Sequence, residues 1–310
     1  MADNQTSPQN HDELLETFES AHPQDILKWA AEAYGEKLVV VTSFQPTGIV
    51  TLHMLQKIAP RTPVVTLDTG LLFPETRALM DQLQEMLDIN LIRVTPEMTV
   101  EQQAQRYGDK LWERQPDFCC HLRKTNPLKS TLLNYDAWIT GLRRDQSPER
   151  EKTPIITEDR RYGLMKLAPF ATWTEEMIWT YLTAYNLPYN PLHDQGYPSI
   201  GCLTCTIPVA DGADMRSGRW AEKGKTECGI HVDLIKDVAK EEKASVESKS
   251  GLAHDDTASD EPGAQNLQHD VSGKTPDAVE IEPDAHFAQE TGSDNSTVEV
   301  RHKVALEVYS

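Results

Sequence analysis

The chain has 310 residues, 38% of them hydrophobic, with all six tryptophans at or before Trp220, so it can build a sizeable core as one large or two smaller domains. Its formal net charge of −19 argues against a general nucleic-acid binder, which needs a basic face. No stretch reaches the roughly 18 continuous apolar residues of a membrane helix, and the polar, acidic start of the chain has no basic or apolar signal region. Residues 233–310 hold 18 acidic and 7 basic side chains, a net of −11 that leaves −8 for residues 1–232. Five cysteines without a secretory signal predict a reducing compartment, the cytoplasm, where thiols serve as metal ligands or nucleophiles rather than disulfides.

In chain order, residues 23–34 place Pro23 ahead of apolar residues at helical spacing and end at Gly35, which predicts a helix. Residues 38–42 form a short apolar, β-branched run, the pattern of a buried parallel strand. A loop from Ser43 to Thr47 leads into a helix carrying Ile49, Leu52 and Leu55. The alternation repeats with a strand at 64–67, a helix at 75–87 and a strand at 91–94. Later strands are expected at 137–140, ending at Gly141, and at 164–167. Thr174 opens a further helix with half a capping box, since Met177 stands where Glu would complete it.

This alternation predicts an α/β domain with a mostly parallel sheet flanked by helices. Ligands of such sheets bind beyond the carboxyl ends of strands, which makes Ser43, Asp68 and Gly141 candidates. Asp68 reads equally as a turn or capping residue. Beyond about residue 233 aromatics thin to Phe287 and Tyr309, and the acidic composition reads as a disordered tail. Within it, residues 297–309 alternate as a strand would.

Cys119 and Cys120 are adjacent, and Cys202 and Cys205 form a CxxC pair. Zinc ligands are usually two to four residues apart, whereas thiolate-only ligation is common for iron–sulfur clusters, so spacing alone leaves both open. Buried thiols with no ligand role are the plainer alternative. Cys228 stands apart in Lys225-Thr-Glu-Cys-Gly-Ile-His231. Lys225, His231, Arg216 and Arg219 are near it in sequence and would favour a thiolate, and Gly229 permits close approach to the backbone. A structural cysteine beside a histidine fits the same spacing.

Taken in this order, Cys119-Cys-His-Leu-Arg-Lys124, Gly201-Cys-Leu-Thr-Cys205 and Glu227-Cys-Gly-Ile-His231 resemble the assimilatory adenylyl-sulfate (APS) reductases, over roughly residues 20–232. The resemblance implies an adenine-nucleotide alpha-hydrolase-like (PP-loop type) fold, a catalytic domain within 1–232, and a 4Fe-4S cluster on Cys119, Cys120, Cys202 and Cys205. The related phosphoadenylyl-sulfate (PAPS) reductases share the fold and the last motif but typically lack the paired cysteines, so the four cysteines favour APS. The resemblance further implies that the nucleotide lies at Ser43-Phe-Gln-Pro-Thr-Gly48, with Gly141 near the adenine and Arg150 on the nucleotide. Lys124, Arg216, Arg219 and His231 would surround the sulfate as cations.

A strand-to-helix loop does offer N–H groups and a helix dipole to an anion. This one lacks the double glycine and acidic residue of ATP-cleaving relatives, which suits holding a nucleotide. Arg143 and Arg144 read as nucleotide neighbours or as solvated charges. The expected chemistry is attack of the Cys228 thiolate on the sulfur of APS, giving AMP and an S-sulfocysteine that thioredoxin or a similar dithiol resolves to sulfite. Residues 206–232, with Gly212, Gly218, Gly224 and Gly229, are expected to form a moving lid. Rival readings are the same reaction on PAPS, a PP-loop sulfur transferase acting on tRNA, and a zinc-stabilised binding module.

Overall fold

In the computed structural model, which describes residues 8–210, 212–221, 223, 225 and 227–231, each of the five apolar runs is a strand. They are β1 (Leu38–Val41), β2 (Val64–Leu67), β3 (Leu91–Val94), β4 (Ala137–Thr140) and, after one unexpected strand, β6 (Leu164–Leu167). The sheet order is β3-β2-β1-β4-β6-β5, and every neighbouring pair is parallel except β5 with β6. The unexpected strand, β5 (Ile156–Asp159), reads Ile-Thr-Glu-Asp and lacks an apolar run. It is an edge strand, and its ladder needs only backbone partners on β6.

The helices are α1 (Pro8–Glu19), α2 (Pro23–Tyr34), α3 (Pro46–Ile58), α4 (Pro74–Leu87), α5 (Val100–Tyr107), α6 (Leu111–Arg114), α7 (Pro116–Cys120), α8 (Asn126–Leu132) and α9 (Glu175–Ala184). Proline opens α2, α3 and α4, where its missing N–H would have been unpaired anyway. Gly35 ends α2 at a φ of 49°. Thr174 accepts from the Met177 amide, so half of the capping box forms. Between α7 and α8 the chain makes a π-helical turn, His121–Thr125, a rare geometry that concentrates at functional sites.

Val39, Val65, Trp138 and Leu164 of the sheet form one buried cluster with Leu128 and Leu132 of α8. On β1 and β4 the register sets Val39 beside Trp138 and Val41 beside Thr140. From β1 the chain proceeds to β2 and β3 on one side, while β4 is added on the other. The loops leaving β1 and β4 therefore diverge, and a crevice opens between them at the carboxyl edge. These elements lie in one unit, Met1–Glu247. The expected tail at 233–310 and its run at 297–309 lie outside the described residues. No helix among the described residues is long and apolar enough to cross a membrane.

Candidate active site

That crevice is a cavity of about 220 Å³. Ser43 lines it from the loop after β1, Thr47 and Gly48 from the first turn of α3, Thr69 from the loop after β2, and Gly141, Arg143 and Arg150 from the segment after β4. The two loops meet closely: a Cβ on Gly141 would lie 3.3 Å from the Gly48 nitrogen and 3.4 Å from Thr47 Cβ. The loop after β1 is itself bent at Phe44, whose φ is 55° and whose N–H donates to Thr42 Oγ1 at 3.0 Å.

Cys228 lines the same cavity, with Lys124, Arg216, Arg219 and His231 around it. All eight nucleotide, sulfate and nucleophile positions expected from sequence thus converge. The Cys228 segment is seated on the sheet. Gly229, at a φ of 84°, turns its carbonyl to accept from Arg161 Nη1 at 2.9 Å, and Asp159 holds Arg161 at 3.0 Å. Ile230 packs on the Trp138 core cluster, and the His231 ring stacks on Trp138 at 5.7 Å with an interplanar angle of 4°.

Three expectations change. Asp68 does not line the cavity; its Oδ1 accepts from the Gly70 amide at 3.0 Å and pairs with Arg77, so of its two readings it is the turn residue. His231 is not a cation here. Burial, together with Lys166, Arg150, Arg161 and Arg216, holds its imidazole well below the ordinary range, so it faces the cavity neutral. Lys225 bonds Asp117 and does not line the cavity.

Arg143 and Arg144 separate cleanly. Arg143 is buried and donates to Thr47 Oγ1 at 2.7 Å, while Arg144 forms an exposed pair with Glu19 at 2.7 Å. Of the expected hinge glycines, Gly218 serves packing instead: a Cβ there would lie 2.2 Å from the Ile207 carbonyl oxygen. Gly224 lies outside the described residues.

Burial pushes Arg216 down to about 10, with Arg150 adding to the effect and Glu227 opposing it. Glu227, next to the thiol, is 8% exposed and bridges Arg150 (2.7 Å) and Arg216 (3.1 Å). Arg219 stacks on the indole of Trp220 at 4.6 Å, and Lys124 sits 6.0 Å from that ring.

The two cysteine pairs approach each other behind Lys124. Cys119, Cys120 and Cys202 are buried and Cys205 is partly buried, all as free thiols. The Cys202 strand-like segment pairs with Leu72 after β2, and Thr69 Oγ1 lies 3.3 Å from Cys202 Sγ. Burial and the neighbouring thiols Cys120, Cys202 and Cys205 push Cys119 up to about 12. Burial also lifts Cys120, to about 11, against the pull of Lys124 and Lys225. For Cys202 burial is more than offset by Lys124, Thr69 and Arg219, so its thiolate is favoured. Burial opposes charge on Lys124, yet Cys202, Cys120 and Cys228 together keep it protonated. Among the described residues no three His, Cys, Asp or Glu side chains are gathered for a single metal ion.

Sequence reasoning missed Thr69, Glu227, Trp138 and Lys166, and left Arg143 open between a nucleotide neighbour and a solvated charge. Glu227 stood within a quoted motif, but nothing in the chain announces its partner Arg150, 77 residues upstream.

The profile of the phosphoadenosine phosphosulfate reductase domain matches residues 37–208. Adenosine 5'-phosphosulfate reductase of Halalkalibacterium halodurans is 49% identical over 223 residues, 72% of this chain and 96% of its own length. Phosphoadenosine 5'-phosphosulfate reductase of Gloeobacter violaceus is 49% identical over 221 residues, 70% of this chain and 92% of its own. Among solved structures, phosphoadenylyl-sulfate (PAPS) reductase from Candida auris, in a phosphate complex, is similar with a TM-score of 0.59 and 31% identity, over 65% of this chain and 98% of that one.

Proposed function

The chain belongs to the phosphoadenosine phosphosulfate reductase family, with its adenine-nucleotide alpha-hydrolase-like fold, and we propose that it reduces APS to sulfite and AMP through Cys228. The observation that carries this reading is the placement of the Cys228 thiol in the cavity at the sheet's switch point, among Lys124, Arg216 and Arg219. The adenosine moiety lies along Ser43 to Gly48 and against Gly141, whose missing side chain lets the segment after β4 pack directly on Thr47 and Gly48. Arg150 contacts the nucleotide. Guanidinium forks of Arg216 and Arg219 and the ammonium of Lys124 hold the phosphosulfate oxygens. His231, being neutral, contributes a hydrogen bond rather than a charge.

The Cys228 thiolate attacks the sulfate sulfur. A sulfur–sulfur bond forms, the sulfur–oxygen bond to the phosphate breaks, and AMP leaves with that electron pair. The three cations offset the repulsion between two anions and need no rearrangement to do so. A thiolate of thioredoxin, or of a similar dithiol in a reducing cytoplasm, then attacks Cys228 Sγ and sulfite departs. The donor's second thiol closes its own disulfide and returns Cys228 to the thiol, so two electrons pass to the sulfur.

Cys119, Cys120, Cys202 and Cys205 would hold a 4Fe-4S cluster. The donor set supports the fit: four thiols from two distant segments, three of them buried, with the buried cation Lys124 beside them. When bound, the cluster supplies a fixed charge near Lys124 that tunes the field at the sulfate.

The relative from Gloeobacter violaceus supports a second reading, with the 3'-phosphorylated nucleotide as substrate. Turnover of APS and PAPS by the purified protein separates the two, and a strong PAPS preference would overturn the first. The mechanism itself is tested by mass spectrometry after incubation with APS and no reductant. A sulfonate on Cys228 is expected, absent in Cys228→Ser; no adduct on the wild type refutes the thiol mechanism.

A further inference from the structure

Among the described residues, Glu227 is the acidic side chain that the Cys228 segment buries in the cavity wall, and it does so between two of the cations proposed to meet substrate. Arg150 grips it with two parallel bonds, Nε to Oε1 at 2.7 Å and Nη2 to Oε2 at 2.8 Å, and Arg216 adds a third contact at 3.1 Å. Bidentate guanidinium–carboxylate pairs fix direction as well as distance. Arg150 is not itself loose. Its Nη1 donates to Gln146 Oε1, which also accepts from the Arg143 backbone N–H at 3.1 Å. Arg143 reaches on to Thr47, in the loop after β1. A continuous polar chain thus runs from the nucleotide loop to the residue beside the thiol.

Resting on the function proposed above, we infer that Glu227 is the positioning residue for Cys228. Its carboxylate, clamped by Arg150 and Arg216, sets the neighbouring thiol over the cavity and keeps both guanidinium groups aimed inward. Three segments distant in sequence are thereby registered by one side chain: the turn after β4, the loop holding Arg216, and the Cys228 segment. A buried carboxylate in this place also limits the net positive charge that two close arginines would otherwise carry. Glutamine has the same shape and cannot form the charged clamp, so the substitution probes the charge and leaves the packing in place.

The experiment follows formation of the Cys228 sulfonate in a single turnover with APS and no reductant, alongside AMP affinity by calorimetry. Glu227→Gln is expected to slow adduct formation at saturating APS by at least about 10-fold, the scale of a lost charge-assisted bond. AMP affinity, in which Arg150 shares, should fall by less than the adduct rate does, whereas a general loss of structure would abolish both. Glu227→Asp keeps the charge and should recover part of the rate. A Gln variant as fast as wild type, an Asp variant no faster than the Gln one, or a collapse of AMP binding in the Gln variant each overturns the assignment. A wild-type protein that forms no adduct refutes the thiol mechanism instead, so the two failures are distinct.

Discussion

Gly201→Ala is a test of whether Arg219 acts from the position seen here. The new Cβ would lie 2.1 Å from Arg219 Nη2 and 2.5 Å from Cζ, well inside contact distance. The obstructing group is the end of a flexible side chain, so the arginine yields and the backbone stays. To regain ordinary contact the guanidinium must retreat by about 1 Å or more. It then loses its bond to Ser199 Oγ (3.1 Å) and its stacking on Trp220 (4.6 Å). These two are worth about 1–2 kcal/mol of stability together.

The larger effect falls on catalysis. A charge-assisted bond to the sulfate contributes about 1.5–3 kcal/mol, which corresponds to roughly 10- to 150-fold in kcat/KM. Steady-state rates with APS, measured beside a thermal melt, distinguish the two effects. Wild-type kcat/KM in a folded Gly201→Ala protein would show that the Arg219 position does not matter to the reaction. Loss of the folded state would show that the arginine cannot yield.

Gly218→Ala should behave in the opposite way, because its Cβ would strike the Ile207 carbonyl at 2.2 Å and break the Ile207–Gly218 backbone bond of 2.9 Å; a fall in melting temperature larger than that of Gly201→Ala is expected. Arg143→Ala should weaken AMP binding by about 10-fold or more, since it removes a buried donor of the β1 loop. Arg144→Ala, which loses an exposed ion pair with Glu19 and a bond to the Thr153 carbonyl, neither of them at the cavity, should leave AMP affinity within about twofold by calorimetry. Burial pushes Lys166 down to about 8, with Arg161 and Arg150 adding to it and Asp159 and Glu227 opposing. Between about pH 8 and pH 10 the unfolded chain therefore keeps a proton that the folded one releases, and folding should gain stability with rising pH by up to about 3 kcal/mol. Urea unfolding of wild type against Lys166→Met should show that gain in the wild type alone; a constant difference across the range would refute it.

The parallel strands were legible because their apolar residues cluster in short runs, free of charge in β1, β2 and β4, as in Leu38-Val-Val-Val41, and interrupted by a single cation in the edge strand β3 and in β6. β5 was not, because at the edge its backbone does the pairing, Thr157 is only half-buried and Glu158 is exposed. The π-helical turn at His121–Thr125 leaves no mark in hydrophobic spacing either. At the site, motifs exposed the residues that carry charge or thiol chemistry. What escaped were contacts between distant segments, such as Glu227 with Arg150, and consequences of packing, such as the neutral state of His231. A sequence shows that a histidine is present; its charge depends on its burial and on the four cations that the fold gathers around it.

The sheet's two open margins bear on how this protein survives at high concentration. An unpaired strand edge is a template on which another chain can polymerise. Here β3 presents Arg93, paired with Asp81, and β5 presents Glu158, so neither rim offers an uncharged apolar ribbon. The residues that hid β5 from a hydrophobicity reading thus have a colloidal role: they discourage the sheet from growing beyond its sixth strand into a neighbouring molecule.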